Sequence, residues 1–417
     1  MSRFVVSGGV KLAGEIAVQG SKNAAFPVLA ACLLAFADCR IENVPQISDV
    51  NNFLAILEFL GARIERGDHT LTINCARLVN RPIPEEMMGK LRGSILFAGA
   101  LLGRFGKVVF SRPGGDSIGT RPINFHLEAF QKLGARISQD QGTVRVEAAK
   151  LAGGSITMGV TSVTGTENII LAAVLAEGTT WIKIAAMEPH VQELCRFLNK
   201  MGAKISGIGT PSLTIEGVPA LRGAAHRLCS DEIETITFCV AAAATRGEVI
   251  IKDVDLDHLD APLAALERMG VNLEAQGQTI RIRSPLRPYQ ATRIITGVYP
   301  QLLTDYQPLL GVLATQAEGI SLVHDWIYEG RQGYLAALQT MGASVQFDDV
   351  HRARIKGPTQ LQGAEIKTPD IRAGASILIA ALLARGETLI YNAEIIDRGY
   401  ERIDERLNNL GAMIQRV

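Results

Sequence analysis

The chain has 417 residues, 47% apolar and 20% charged, a composition that leaves room for two or three well-packed globular domains and argues against disorder. Lys plus Arg and Asp plus Glu each total 42, so no net field draws the chain to nucleic acid or to an anionic membrane. Any anion site has to come from local clustering. The six cysteines, Cys32, Cys39, Cys75, Cys195, Cys229 and Cys239, include no CxxC pair and lie mostly in apolar runs, which speaks for buried hydrophobes in a reducing compartment. The N-terminus lacks a charged lead with an apolar signal core. The longest apolar runs, near 26–37 and 371–384, are too short or too interrupted to span a bilayer, so a cytoplasmic location without membrane insertion is expected.

In chain order, the phrase Leu60-Gly61-Ala62 returns as Leu133-Gly134-Ala135, Met201-Gly202-Ala203, Met269-Gly270-Val271, Met341-Gly342-Ala343 and Leu410-Gly411-Ala412. The glycines are spaced by 73, 68, 68, 72 and 69 residues, each interval the length of one small supersecondary module. A second set, Gly106, Gly178, Gly247, Gly319 and Gly386, ends Ala/Leu-rich helical patterns ahead of Val/Ile/Thr-rich runs and reads as left-handed helix stops. Each module is therefore predicted to be βαβαββ, and six of them fit two pseudo-symmetric domains of three, with helices inside or against sheets that face solvent. The pattern restarts near 227–234. The N-terminal strand, 4–6 with 15–18, has no partner in the first module and is expected to complete the second domain, making 20–23 a second crossing. Residues 22–230 would then form one domain and residues 1–21 with 231–417 the other.

Four features carry chemistry. The loop Ser111-Arg112-Pro113-Gly114-Gly115-Asp116-Ser117-Ile118-Gly119-Thr120-Arg121-Pro122 crowds flexible backbone, an acid and two guanidinium groups together. It suits a mobile cover over an anionic substrate, and equally a surface turn with a solvated Asp116. A helix begins at Ser21-Lys22-Asn23, where Ser21 or Asn23 can cap. Lys22 there opposes the helix dipole, which fits either a bound anion or a solvated lysine. Arginines beside glycine or acid recur at Arg92, Arg331, Arg372 and Arg398, either as surface pairs or as the lining of an anion cleft. Asp305 reads as a helix cap or as a general base. The seven histidines show no ligand spacing, and no nucleotide-cofactor fingerprint is present, so neither metal nor cofactor is expected.

Together these stretches resemble the enolpyruvyl transferases over essentially the whole chain. The carriers are Gly20-Ser21-Lys22-Asn23-Ala24-Ala25, Leu91-Arg92-Gly93-Ser94-Ile95, Pro113-Gly114-Gly115 with Arg121-Pro122, Ser162-Val163 with Gly165-Thr166-Glu167-Asn168, Thr304-Asp305, and Asp397-Arg398-Gly399-Tyr400-Glu401-Arg402. The resemblance implies a two-domain inside-out α/β barrel of six βαβαββ repeats, three per domain, with the active cleft between domains. It implies transfer of enolpyruvyl from phosphoenolpyruvate to the 3-hydroxyl of UDP-N-acetylglucosamine, with loss of phosphate through a tetrahedral intermediate, in peptidoglycan precursor synthesis. By the same resemblance Lys22, Arg121 and Arg398 meet the phosphate, Arg331 and Arg372 the carboxylate, and Asn23 and Arg92 complete the pocket. Asp305 is the base, and Arg92, Arg121, Pro122, Ile123, Asn124, Phe125, Ser162, Val163, Thr164, Gly165 and Ile327 contact the nucleotide sugar.

Departures from the family pattern are informative. Most members carry Cys where this chain has Asp116, so Asp116 is expected to serve as the general acid, and fosfomycin, which alkylates that cysteine, has no thiol to attack. Ile123-Asn124-Phe125, Val160 or Thr161, and Gln301-Leu302-Leu303 also depart. They leave room for another acceptor, whether a different UDP-sugar, a nucleotide or shikimate 3-phosphate. A non-catalytic paralogue that binds a nucleotide sugar is a further alternative.

Overall fold

A computed structural model describes residues 2–116 and 118–417; Met1 and Ser117 of the glycine-rich loop lie outside the described residues. The six repeats return as six sheets among those residues, five four-stranded and one three-stranded. Glycines 61, 134, 202, 270, 342 and 411 all have φ between 82° and 105°. An L side chain rarely adopts that region, so the preceding helix stops and the chain reverses into a strand pair. Helix Ser48–Phe59 thus gives way to Arg63–Gly67 and Thr70–Asn74, registered from Arg63↔Asn74 to Gly67↔Thr70. Of the second glycine set, 106, 178, 319 and 386 are also left-handed. Gly247 departs: Arg246 takes the left-handed turn at φ 54°, and Gly247 supplies space, since a Cβ there would lie 2.1 Å from the Leu12 carbonyl oxygen.

Two compact units result. The N-terminal unit comprises Gly20–Gly115 and Arg121–Cys229. Its centre is built on helices Lys22–Cys32, Leu96–Phe105 and Val163–Ala173, which are apolar nearly all round and correspondingly buried. The strands alternate, as in Thr143–Glu147, where Val144 and Val146 are buried and Arg145 and Glu147 exposed. One face packs on the central helices and the other stays wet, which is the inside-out arrangement. Ala225–Arg227 runs parallel to Cys39–Glu42 and joins the third repeat to the first.

The C-terminal unit comprises Met1–Gln19, Asp116–Thr120 and Ser230–Val417. Every residue of helices Glu232–Ala244 and Gln307–Ala314 is buried, as is nearly all of Ile371–Leu383. Residues 116–120, expected inside the first domain, are grouped with this unit. The N-terminal segment, read from sequence as one element, serves two sheets. Ala13–Ala17 runs parallel to Glu248–Lys252, while Arg3–Ser7 lies antiparallel between Glu387–Tyr391 and Met413–Arg416. The reason lies in the repeat: the sixth module supplies only Met413–Arg416 of its closing strand pair, and Arg3–Ser7 takes the other position, burying Phe4 and Val6. All six cysteines are free thiols, five of them buried. Among the described residues no helix is long and apolar enough to cross a membrane.

Candidate functional site

In the C-terminal unit, helix Ile371–Leu383 starts at Asp370, whose carboxylate accepts the N–H groups of Arg372 (2.9 Å) and Ala373 (3.0 Å). That cap fixes Arg372 in the first turn, where its positive charge opposes the helix dipole. Asp305 supplies compensation: its Oδ2 lies 3.4 Å from Arg372 Nε, and the guanidinium sits 5.3 Å over the buried Tyr400 ring. Arg331, only 2% exposed, donates to Asp305 Oδ1 through Nη2 and to Thr304 Oγ1 at 3.0 Å through Nε. Its Nη1 stands 3.6 Å from Asp370 Oδ1. The Thr304 hydroxyl donates to Asp325 Oδ2 at 2.5 Å, and Asp325 Oδ1 accepts the N–H groups of Ile327 and Tyr328.

The alternative of Asp305 as a helix cap is not what forms. Leu303, whose side chain has no acceptor, occupies the cap of the short turn Thr304–Tyr306, and the Asp305 oxygens are turned to Arg331 and Arg372. Asp116, reached by the glycine-rich loop, accepts a 2.6 Å bond from Arg398 Nη1. Burial pushes the Asp370 carboxyl up from its usual value; Arg331 and the helix N–H groups pull it back, and the charge of Asp116 adds to the rise. Asp116, Asp305 and Asp370 thus interleave with Arg331, Arg372 and Arg398. Asp370 and Asp325 were missed as site residues, although an Asp just before an Ala-rich helical run is a readable cap signal.

In the N-terminal unit Ser21 caps helix Lys22–Cys32, accepting the Ala24 N–H at 3.3 Å; Asn23 does not cap. Lys22 Nζ lies 3.9 Å from Asp49 Oδ2, with both side chains largely buried. Arg92 donates to the Pro122 carbonyl at 3.3 Å, and Arg92 and Arg121 close over Gly115. A Cβ on Gly115, where φ is 118°, would lie 2.5 Å from Arg121 Nη2 and 2.8 Å from Arg92 Cβ, so only glycine lets the two arginines approach. Pro122 and Asn124 are exposed, while Ile123 packs against the core.

Ser162 caps helix Val163–Ala173 through the Gly165 N–H at 3.2 Å, leaving Val163 and Thr164 half-exposed in its first turn. Phe125 packs on Gly165 and stacks on His126 with ring centroids 4.6 Å apart. His126 was not singled out from sequence. Asn168 fixes its tautomer: Oδ1 accepts the Gly99 N–H (2.7 Å), and Nδ2 donates to the Ile95 carbonyl and to His126 Nδ1, both at 3.0 Å. The proton then resides on Nε2, 3.5 Å from Thr164 Oγ1. Burial, aided by Arg92, pulls the His126 pKa down to about 3.

That shift carries a sign. Below about pH 6.5 the unfolded chain binds a proton at this histidine that the folded chain refuses until about pH 3, so stability falls with pH by up to about 1.4 kcal/mol per unit. His126→Gln is expected to reduce the stability lost between pH 6.5 and pH 5 by about 1.5 kcal/mol, measured by denaturant unfolding. Equal losses in both proteins would refute the buried neutral assignment.

Among the described residues no three His, Cys, Asp or Glu side chains group as a metal site. A family model described as EPSP synthase (3-phosphoshikimate 1-carboxyvinyltransferase) matches residues 6–407. UDP-N-acetylglucosamine 1-carboxyvinyltransferase of Koribacter versatilis is 42% identical, covering 100% of this chain and 97% of that protein. The enzyme of the same name from Halothermothrix orenii is also 42% identical, covering 100% of both. Among solved structures, the enolpyruvyl transferase NikO from Streptomyces tendae shares the fold with a TM-score of 0.90 at 24% identity, covering 100% of this chain and 99% of that one. EPSP synthase from Acinetobacter baumannii follows with 0.79 at 20%, covering 100% of both. With the repeat architecture and the whole-length identity in agreement, the chain belongs to the EPSP synthase family of enolpyruvyl transferases, among its UDP-N-acetylglucosamine 1-carboxyvinyltransferases.

Proposed function

We propose that the chain transfers the enolpyruvyl group of phosphoenolpyruvate to the 3-hydroxyl of UDP-N-acetylglucosamine, in the cytoplasm, as a step in making peptidoglycan precursors. The observation that carries this reading is the 42% identity over the full length of two enzymes with that name. The interleaved acids and arginines of the C-terminal unit support it. On this reading residues 22–230 and residues 1–21 with 231–417 act as the two domains of one transferase.

The chemistry assigns three tasks. Asp116 protonates C3 of the enol, which makes C2 electrophilic. Asp305 takes the proton of the sugar hydroxyl as its oxygen bonds to C2, giving the tetrahedral intermediate. Loss of a C3 proton then expels phosphate by breaking its bond to C2. Lys22, Arg121 and Arg398 hold the phosphate, Arg331 and Arg372 the carboxylate, with Asn23 and Arg92 at the pocket edge. Pro122, Ile123, Asn124, Phe125, Ser162, Val163, Thr164, Gly165 and Ile327 take the nucleotide sugar together with Arg92, Arg121 and Asp305.

The pairing of Asp116 with Arg398 supports a place for Asp116 beside the substrate phosphate. Bonded to Arg398 it is an acceptor. A phosphate dianion that takes over Arg398 releases the Asp116 carboxyl from that bond, so that it can turn to C3. Phosphate release from phosphoenolpyruvate, followed with UDP-N-acetylglucosamine and with shikimate 3-phosphate in parallel, tests the reading: release is expected with the first acceptor alone. Release only with the second would overturn the choice of acceptor.

A further inference from the structure

The ties between the segment that carries Asp116 and the rest of its unit include two of different kinds. One is the 2.6 Å bond from Arg398 to Asp116. The other lies four residues on. Glu329 Oε1 accepts both the Thr120 N–H (2.8 Å) and the Thr120 hydroxyl (2.9 Å), and the Gly330 N–H donates to the Ile118 carbonyl at 2.9 Å. Gly119, with φ 140°, lets the carboxylate in; a Cβ there would lie 2.5 Å from Glu329 Oε2. Ile118, between the two ties, is 5% exposed.

The two ties differ in what happens to them during turnover. On the transferase reading above, on which this inference rests, Arg398 exchanges Asp116 for the substrate phosphate. The first tie is then lost at the moment when Asp116 has to stand within proton-transfer distance of C3. We propose that Glu329 is a positioning residue: by holding Thr120 it keeps the Asp116 segment in place while Arg398 is bound to phosphate. Glu329 touches no reacting atom in this scheme and acts through the backbone of 118–120. Its carboxyl is held below the usual range by its own N–H and by the N–H and hydroxyl of Thr120, so it remains an acceptor through neutral pH.

Glu329→Ala tests this. Misplacing an acid by about 1 Å costs on the order of 10²-fold in rate, so kcat is expected to fall by about that factor while KM for both substrates stays within about threefold. Glu329→Gln keeps an acceptor oxygen and is expected to restore kcat to within about threefold of wild type. Thr120→Val is expected to slow the wild-type enzyme but to add nothing in the Glu329→Ala background, because the two residues act as one tie. Unchanged kcat in Glu329→Ala, a rise in KM alone, or a Gln variant as slow as the Ala variant would each overturn the proposal. Amide hydrogen exchange separates this from the transferase reading. If the wild-type protein releases no phosphate with any acceptor, that reading fails, and exchange at Thr120 decides the tie: faster exchange in Glu329→Ala supports it, and equal exchange overturns it.

Discussion

Asp305→Asn is expected to lower kcat by about 10²- to 10⁴-fold, the range a general base contributes, with KM for phosphoenolpyruvate little changed. The geometry makes the substitution a clean one. Both Asp305 oxygens face guanidinium groups, Arg331 and Arg372, that are 2% and 3% exposed. Asn keeps an acceptor oxygen for one of them and removes the basic site. Asp305→Ala goes further: both substitutions strip a counter-ion from two buried cations and leave Arg331 with Asp370 at 3.6 Å, and Ala removes the acceptor oxygen as well. Breaking a buried pair costs about 3–5 kcal/mol, and the low end applies because Asp305 is itself partly exposed. Both variants are therefore expected to be inactive and less stable than wild type, the Ala variant the less stable of the two. A fully active Asn variant would remove Asp305 from the role of base.

Asp116 makes the second large prediction. Asp116→Asn retains a side chain that Arg398 can hold but has no proton to give, and kcat is expected to fall by about 10²- to 10⁴-fold. Asp116→Cys places a thiol at the position where the sequence resemblance implies the family's cysteine. It is expected to keep activity and to become sensitive to time-dependent inactivation by fosfomycin, whereas the wild-type protein is not inactivated. Inactivation of the wild-type protein that disappears in Asp116→Ala would contradict the assignment of Asp116 as an oxygen acid beyond the drug's chemistry.

How far the sequence speaks depends on whether the signal is local. The six Gly turns announce themselves because a single residue with φ near 90° decides each one, and the repeat and the apolar central helices follow. A helix cap at Ser21 or Asn23 was legible for the same reason, and Ser21 is the one that forms. The division of the N-terminal segment between two sheets was not, because Arg3–Ser7 and Ala13–Ala17 have similar alternation and only partners nearly four hundred and more than two hundred residues away distinguish them. The pairing of Asp116 with Arg398 spans 282 residues and leaves no mark on either stretch. Likewise the reading of Asp305 as a cap failed because local propensity lost to two buried guanidinium groups supplied by Arg331 and Arg372. Gly247 shows the opposite error: a glycine taken for a turn is there to admit the Leu12 carbonyl.

The central claim is enolpyruvyl transfer by proton addition at C3 and later proton loss. It is tested most directly by running the parallel phosphate-release assay in D₂O and analysing the acceptor product by mass spectrometry. Phosphate release is predicted with UDP-N-acetylglucosamine, with a product heavier by one enolpyruvyl group and deuterium in part of its vinyl carbon, because the C3 methyl formed in the intermediate carries one deuterium and two hydrogens and can lose any of the three. No product with UDP-N-acetylglucosamine, transfer to shikimate 3-phosphate instead, or a product free of deuterium would contradict it.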